Sequence, residues 1–94
     1  MLKMNAEELK QKLKTIFGEQ IVFNKEFDKY APDIMRFEED FIEWCNKLKE
    51  GEIRQLRAPK LKGGVIFIKK IGSTNRCIII KITNGDFREI HLGN

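Results

Sequence analysis

The chain is poor in the residues that bind metals. Its 94 residues include one histidine, His91, and two cysteines, Cys45 and Cys77, which stand far apart and form no CxxC pair. A tetrahedral zinc or iron site needs about four such ligands close together. We therefore expect neither a metal nor a cofactor, and we interpret both cysteines as buried thiols of a protein in a reducing compartment.

Other familiar signatures are also missing. The first residues, MLKMNAEELKQKLK, contain no continuous apolar stretch, so we expect neither a signal peptide nor a membrane span there. The Gly63-Gly64 pair lacks the spacing of a phosphate-binding loop, and a single histidine gives no Ser/His/Asp triad. These absences predict a cytoplasmic protein without a membrane partner.

Positive charge is concentrated in the second half of the chain. Residues 1–52 carry nine Lys and Arg against twelve Asp and Glu, a net charge of −3, whereas residues 53–94 carry nine against two, a net charge of +7. Clustered cations attract phosphates, while scattered ones only aid solubility. The pattern favours a polyanionic partner, with RNA as the leading candidate, over a merely solvated lysine-rich surface.

The first half of the chain reads as helical. Asn5 suits a helix N-terminus, and apolar residues at helical spacing follow as far as Gly18, so we expect a helix over 5–17. A short strand is predicted over 19–24. Next comes one long amphipathic helix, expected from Pro32 to Gly51.

The second half changes to the period of strands. Three β-branched runs, VIFIKKI, RCIIIKI and DFREIHL, are separated by short turn sequences, one of which contains Asn84-Gly85. They predict a three-stranded antiparallel meander. With the preceding elements this gives a single α+β domain over residues 1–94, with the helices packed on one face of the small sheet.

A strand register follows if Asn84 and Gly85 form a two-residue loop and residues 72–75 form a four-residue loop. Ile80 then pairs with Glu89, and Phe87 shares a face with Glu89. Lys69 and His91 then both pair with Ile78, and Ile71 pairs with Arg76. Lys69, Arg76 and His91 would share one face of three adjacent strands and form a cup for a phosphate. In the alternative, Lys69 and Arg76 frame a sheet edge while His91 satisfies a backbone group. A shift of one residue would separate the three side chains.

The segment KLKGGVIFIKKIGSTNRCIIIKI, residues 60–82, resembles the RelE/ParE superfamily of bacterial and archaeal toxins. In these proteins a strand and helices precede a basic KLKG-type segment, which leads into a strand, a short turn followed by an arginine, and two more strands. Lys60, Lys62, Lys69 and Arg76 stand at the matching positions. The likeness covers residues 19–94, with residues 1–18 as an added N-terminal helix.

The resemblance implies a toxin that cleaves mRNA on the ribosome without a metal and is held silent by an antitoxin protein. Attack by a 2′-hydroxyl on the adjacent phosphate needs a base, a cation at the phosphorane and an acid. Arginine provides the cation, and a lysine crowded by other cations can exchange protons. Lys69 and Arg76 are the implied catalytic residues.

The predicted RNA-binding residues are Arg57, Lys60, Lys62 and Lys70. The chain departs from the RelE-type pattern at its end, since HLGN stands where the family continues with an arginine and then a tyrosine or histidine. Either His91 fills the role that the family gives to another residue, the native chain has lost its end, or this member is inactive or acts on another target. We therefore include His91 among the candidate catalytic residues.

Three other functions fit the same sequence. A non-catalytic RNA- or ribosome-binding module could use the same basic face. A ParE-like member would poison DNA gyrase instead, and residue spacing separates the two branches poorly. In a protein-interaction domain, the helix over 5–17 would dock on a partner.

Overall fold

The computed structural model describes residues 6–53, 64–72, 75–82 and 86–93, with side chains described for these except at 64, 65 and 75–82. The elements are α1 (Ala6–Phe17), β1 (Val22–Phe23), α2 (Phe27–Met35), α3 (Glu38–Lys49), β2 (Gly64–Ile71), β3 (Asn75–Ile82) and β4 (Phe87–Gly93). Three helices and a small sheet make an α+β fold, as the sequence predicts.

Helix α1 forms where the apolar spacing predicts it. Leu9, Leu13 and Phe17 are all buried on its inner side. The helix ends before Gly18, whose φ of 116° is one that glycine adopts readily. The expected cap at Asn5 lies outside the described residues. The apolar face of α1 packs into the core, and docking of this helix on a partner stays a prediction.

The prediction of a single long helix from Pro32 to Gly51 is wrong. Helix α2 starts earlier, so that Pro32 lies inside it, and α3 starts only at Glu38. The chain leaves helical geometry at Phe37, with φ −123° and ψ 33°. The Phe37 carbonyl then accepts a hydrogen bond from the Phe41 N–H at 3.0 Å, which begins α3.

Periodicity does not reveal this break because the buried residues of both helices follow one spacing. They are Phe27, Ala31 and Ile34 in α2 and Phe41, Cys45 and Leu48 in α3. The same spacing calls for an apolar residue at position 38, where the chain has Glu38. Glu38 is instead the first residue of α3. Its carboxylate pairs with Lys12 of α1, which links α3 to α1.

The sheet has four strands in the order β1-β4-β3-β2. β2, β3 and β4 pair antiparallel in sequence order, and β1 pairs with β4 in parallel. The sheet therefore departs from the expected three-stranded antiparallel meander, because β1 is added in parallel. The Asn24 side chain extends the parallel pair, since its Nδ2 donates to the Leu92 carbonyl at 2.9 Å and its Oδ1 accepts from the Leu92 N–H at 3.0 Å.

The register between β3 and β4 agrees with the prediction at two pairs, Ile78 with His91 and Ile80 with Glu89. Beyond Ile80 the register shifts, and Lys81 pairs with Phe87. Arg88 is the extra residue of this β-bulge, which turns Phe87 to the opposite face from Glu89. The predicted register places both on one face.

The predicted register between β2 and β3 is wrong by one residue. Lys69 pairs with Cys77, Lys70 with Arg76, and Ile71 with Asn75. Only three residues separate Ile71 from Asn75, where the sequence analysis assumed four. Gly72 opens this short connection with φ 64°, a left-handed value that glycine accepts at little cost.

One face of the sheet carries the core. Its buried residues are Phe67, Ile71, Phe87, Ile90 and Leu92, and they form one apolar cluster with the buried residues of the three helices. The opposite side, called here the open face, holds Ile66, Ile68, Lys70, Arg76, Ile78, Ile80, Glu89 and His91 by register. None of the helices in the described part of the chain is long and apolar enough to cross a membrane.

Candidate nucleic-acid interface

Three cationic or cationisable positions come together on the open face, near the connection between β2 and β3. The register pairs Lys70 of β2 with Arg76 of β3, and it places His91 of β4 diagonal to Arg76. Directly paired residues have Cβ atoms about 5 Å apart, and diagonal neighbours lie about 7 to 8 Å apart. We call the positions of Lys70, Arg76 and His91, which share one face of three adjacent strands, the basic corner.

Lys69 does not belong to this corner. The one-residue shift places it on the core face, opposite to Arg76, so the predicted cup of Lys69, Arg76 and His91 is not formed. Its Nζ lies 3.1 Å from Asp40 Oδ2 in α3, and the Lys69 side chain is only 20% exposed. Lys69 therefore links the sheet to α3, and the exposed Lys70 takes its place beside Arg76.

His91 is paired with a carboxylate that the sequence analysis did not identify as its partner. Its Nε2 lies 2.8 Å from Glu89 Oε1. The other oxygen of Glu89, Oε2, lies 3.6 Å from Nε of Arg88. Residues two apart in a strand share a face, so the sequence EIH contained the signal for the Glu89–His91 pair.

An apolar strip borders the basic corner. Ile68 is 41% exposed, and Ile66 is partly exposed two residues earlier on the same face. Ile78 and Ile80 occupy the neighbouring positions of β3 by register. The open face thus combines a charged end with an apolar centre.

Neither a reactive thiol nor a metal cluster is found in the described part of the chain. Cys45 is buried in α3, as predicted, and burial raises the pKa of its thiol, while the nearby charge of Lys69 acts in the opposite direction. Among the described residues, no three His, Cys, Asp or Glu side chains are grouped to hold a metal ion. The Cys77 side chain lies outside the described set.

Most of the predicted RNA-binding residues cannot be placed. Arg57, Lys60 and Lys62 lie outside the described residues, as does the turn at Asn84-Gly85. Lys70 is the one member of that set with a described position, on the open face next to Arg76. Comparison of the chain with protein-family models, curated proteins and solved structures gave no match.

Proposed function

We propose that this protein is a RelE-like toxin that binds mRNA on the ribosome and cleaves it at the basic corner, without a metal. The observation that carries the proposal is the register that gathers Lys70, Arg76 and His91 on one face of three adjacent strands. The order of elements from β1 to β4 also supports it, since a strand, helices and three further strands are what the RelE resemblance implies.

The chemistry assigns one task to each position of the corner. The 2′-hydroxyl oxygen attacks the adjacent phosphorus and releases its proton to water, while Lys70 binds a phosphate oxygen. Arg76 stabilises the charge of the phosphorane, which suits a guanidinium that keeps its proton. The bond from phosphorus to the 5′-oxygen then breaks, and protonated His91 donates a proton to that oxygen. The products are a 2′,3′-cyclic phosphate and a free 5′-hydroxyl.

The apolar strip suits the second partner of the proposal, an antitoxin protein. Ile66 and Ile68 offer contact area for an apolar segment, and acidic residues beside it would neutralise Lys70 and Arg76. A segment bound in this way covers the basic corner and keeps RNA away. A protein with these partners acts in the cytoplasm.

The test is cleavage of mRNA by purified protein on translating ribosomes, with the 5′ ends of the products mapped. We expect cuts within translated codons, and we expect Arg76→Ala to reduce them by about 100-fold or more. Arg36→Ala is the matched control, since Arg36 is exposed between α2 and α3. No cleavage by the unaltered chain, or cleavage unchanged in Arg76→Ala, would contradict the enzymatic proposal.

A second candidate is a non-catalytic RNA- or ribosome-binding module. The Glu89–His91 pair is compatible with it, because such a pair also fits a surface where it balances charge without taking part in a reaction. Binding to ribosomes without cleavage, weakening steeply with salt, would support this candidate. Inhibition of DNA gyrase supercoiling by the purified protein would instead support the ParE-like alternative.

A further inference from the structure

Glu89 lies next to the basic corner, and none of the proposed cleavage steps uses it. The side chains of Glu89 and His91 are 31% and 39% exposed, and their contact at 2.8 Å is a hydrogen bond of ordinary length. A partly exposed histidine ring otherwise has several rotamers of similar energy. A carboxylate on the same strand and face restricts that freedom.

We propose that Glu89 is a positioning residue that orients His91 as the proton donor of the cleavage reaction. This inference rests on the proposed endonuclease function. Nε2–H of His91 donates to Glu89 Oε1, which leaves Nδ1 as the ring nitrogen that delivers its proton to the 5′-oxygen. After that transfer His91 is neutral, and its Nε2–H bond to Glu89 is kept.

Arg88 contributes to the same arrangement. Its Nε lies 3.6 Å from Glu89 Oε2, so each oxygen of the carboxylate faces a different nitrogen-bearing side chain. The β-bulge at Arg88 sets the direction of Glu89, because it turns Phe87 into the core and Glu89 to the open face. By register, two cationic positions of the open face, Lys70 and Arg76, lie on the strands next to His91.

A double-mutant cycle tests the assignment on ribosome-bound mRNA. We expect Glu89→Ala to lower kcat by about 10- to 100-fold with KM nearly unchanged, and Glu89→Gln, which keeps a hydrogen-bond acceptor, to lower it less. The double variant Glu89→Ala/His91→Ala should be no slower than His91→Ala alone, because Glu89 acts through the ring. Glu43→Ala, an exposed glutamate of α3, is the matched control.

A second measurement is independent of activity. His91 is the single histidine of the chain, so its side-chain couplings can be assigned in an NMR spectrum without ambiguity. We expect one χ1 rotamer in the unaltered protein and in Glu89→Gln, and averaging over several rotamers in Glu89→Ala.

The outcomes separate the two proposals. Additive losses in the double variant, or a His91 rotamer that stays fixed in Glu89→Ala, would overturn the positioning role even if the protein cleaves mRNA. A protein that does not cleave, but whose His91 rotamer is released in Glu89→Ala, would overturn the endonuclease proposal and support the orientation of His91 by Glu89.

Discussion

The two faces of the sheet differ in what holds their side chains. On the core face, Phe67, Ile71 and Ile90 are buried against three helices, and the charged Lys69 is fixed by Asp40. On the open face, Ile68 and Lys70 are exposed, and His91 is restrained by one carboxylate. Packing against the helices fixes the side chains of the core face. On the open face, the strand register decides which residues are neighbours.

Lys69 and Lys70 show this difference at two consecutive residues. They have the same chemistry, yet one links β2 to α3 and the other lies beside Arg76. A basic residue in a strand therefore acquires its role from the face on which the register places it. The predictions concern first the packing of the core and the β1–β4 pair, and last the contrast between Lys69 and Lys70.

The largest contrast is expected between two phenylalanines of the helical side. Phe41 is completely buried, so Phe41→Ala should lower the free energy of unfolding by about 3 to 5 kcal/mol through lost burial and a residual cavity. Phe37 is 42% exposed, and Phe37→Ala should cost about 1 kcal/mol or less. Urea denaturation measures both; equal losses would contradict the position of the core.

A smaller effect is expected where β1 joins β4. Asn24→Ala removes both side-chain hydrogen bonds to the Leu92 backbone and leaves that backbone with unpaired polar groups. We expect a loss of about 1 to 3 kcal/mol in the same urea experiment. Asn46→Ala, at an exposed site of α3, should change stability by about 0.5 kcal/mol or less. An Asn24→Ala protein as stable as the unaltered chain would argue against the parallel β1–β4 pair.

The buried thiol predicts a pH dependence. Burial raises the pKa of Cys45 above the ordinary thiol value of 9.0, so the thiol ionises in the unfolded chain while it stays neutral in the folded one. The stabilisation that the neutral Cys45 thiol contributes is fully present below pH 9.0 and is lost as the pH rises above that value. The loss should be about 1 kcal/mol between about pH 9 and 10, and Cys45→Ala should lack it. An identical slope in both proteins would contradict the burial.

The sequence was sufficient for the features that depend on local pattern. Leu9, Leu13 and Phe17 predict α1, and the β-branched runs predict the three consecutive strands. The pairs of Ile78 with His91 and Ile80 with Glu89 followed from the Asn-Gly turn signal alone. These features need only periodicity and turn chemistry.

The predictions that were wrong depend on small differences in backbone geometry. The connection between β2 and β3 is one residue shorter than assumed, so Lys69 lies on the core face, away from Arg76. The bulge at Arg88 places Phe87 on the core face, away from Glu89. The parallel partner of β4 is a strand of two residues, Val22 and Phe23, which no periodicity can identify as a neighbour of Ile90. Tertiary packing decides such details.

The most direct test of the account compares Lys70→Ala with Lys69→Ala in binding to ribosome-associated RNA over a range of salt concentrations, with folding of both checked by circular dichroism. Lys70→Ala should weaken binding by about 3- to 10-fold at moderate salt and reduce the slope of log affinity against log salt by about 1. Lys69→Ala should leave both quantities nearly unchanged, since its ammonium is held by Asp40. The reverse result, with affinity lost in Lys69→Ala and kept in Lys70→Ala, would contradict the assignment of the open face as the RNA-binding surface.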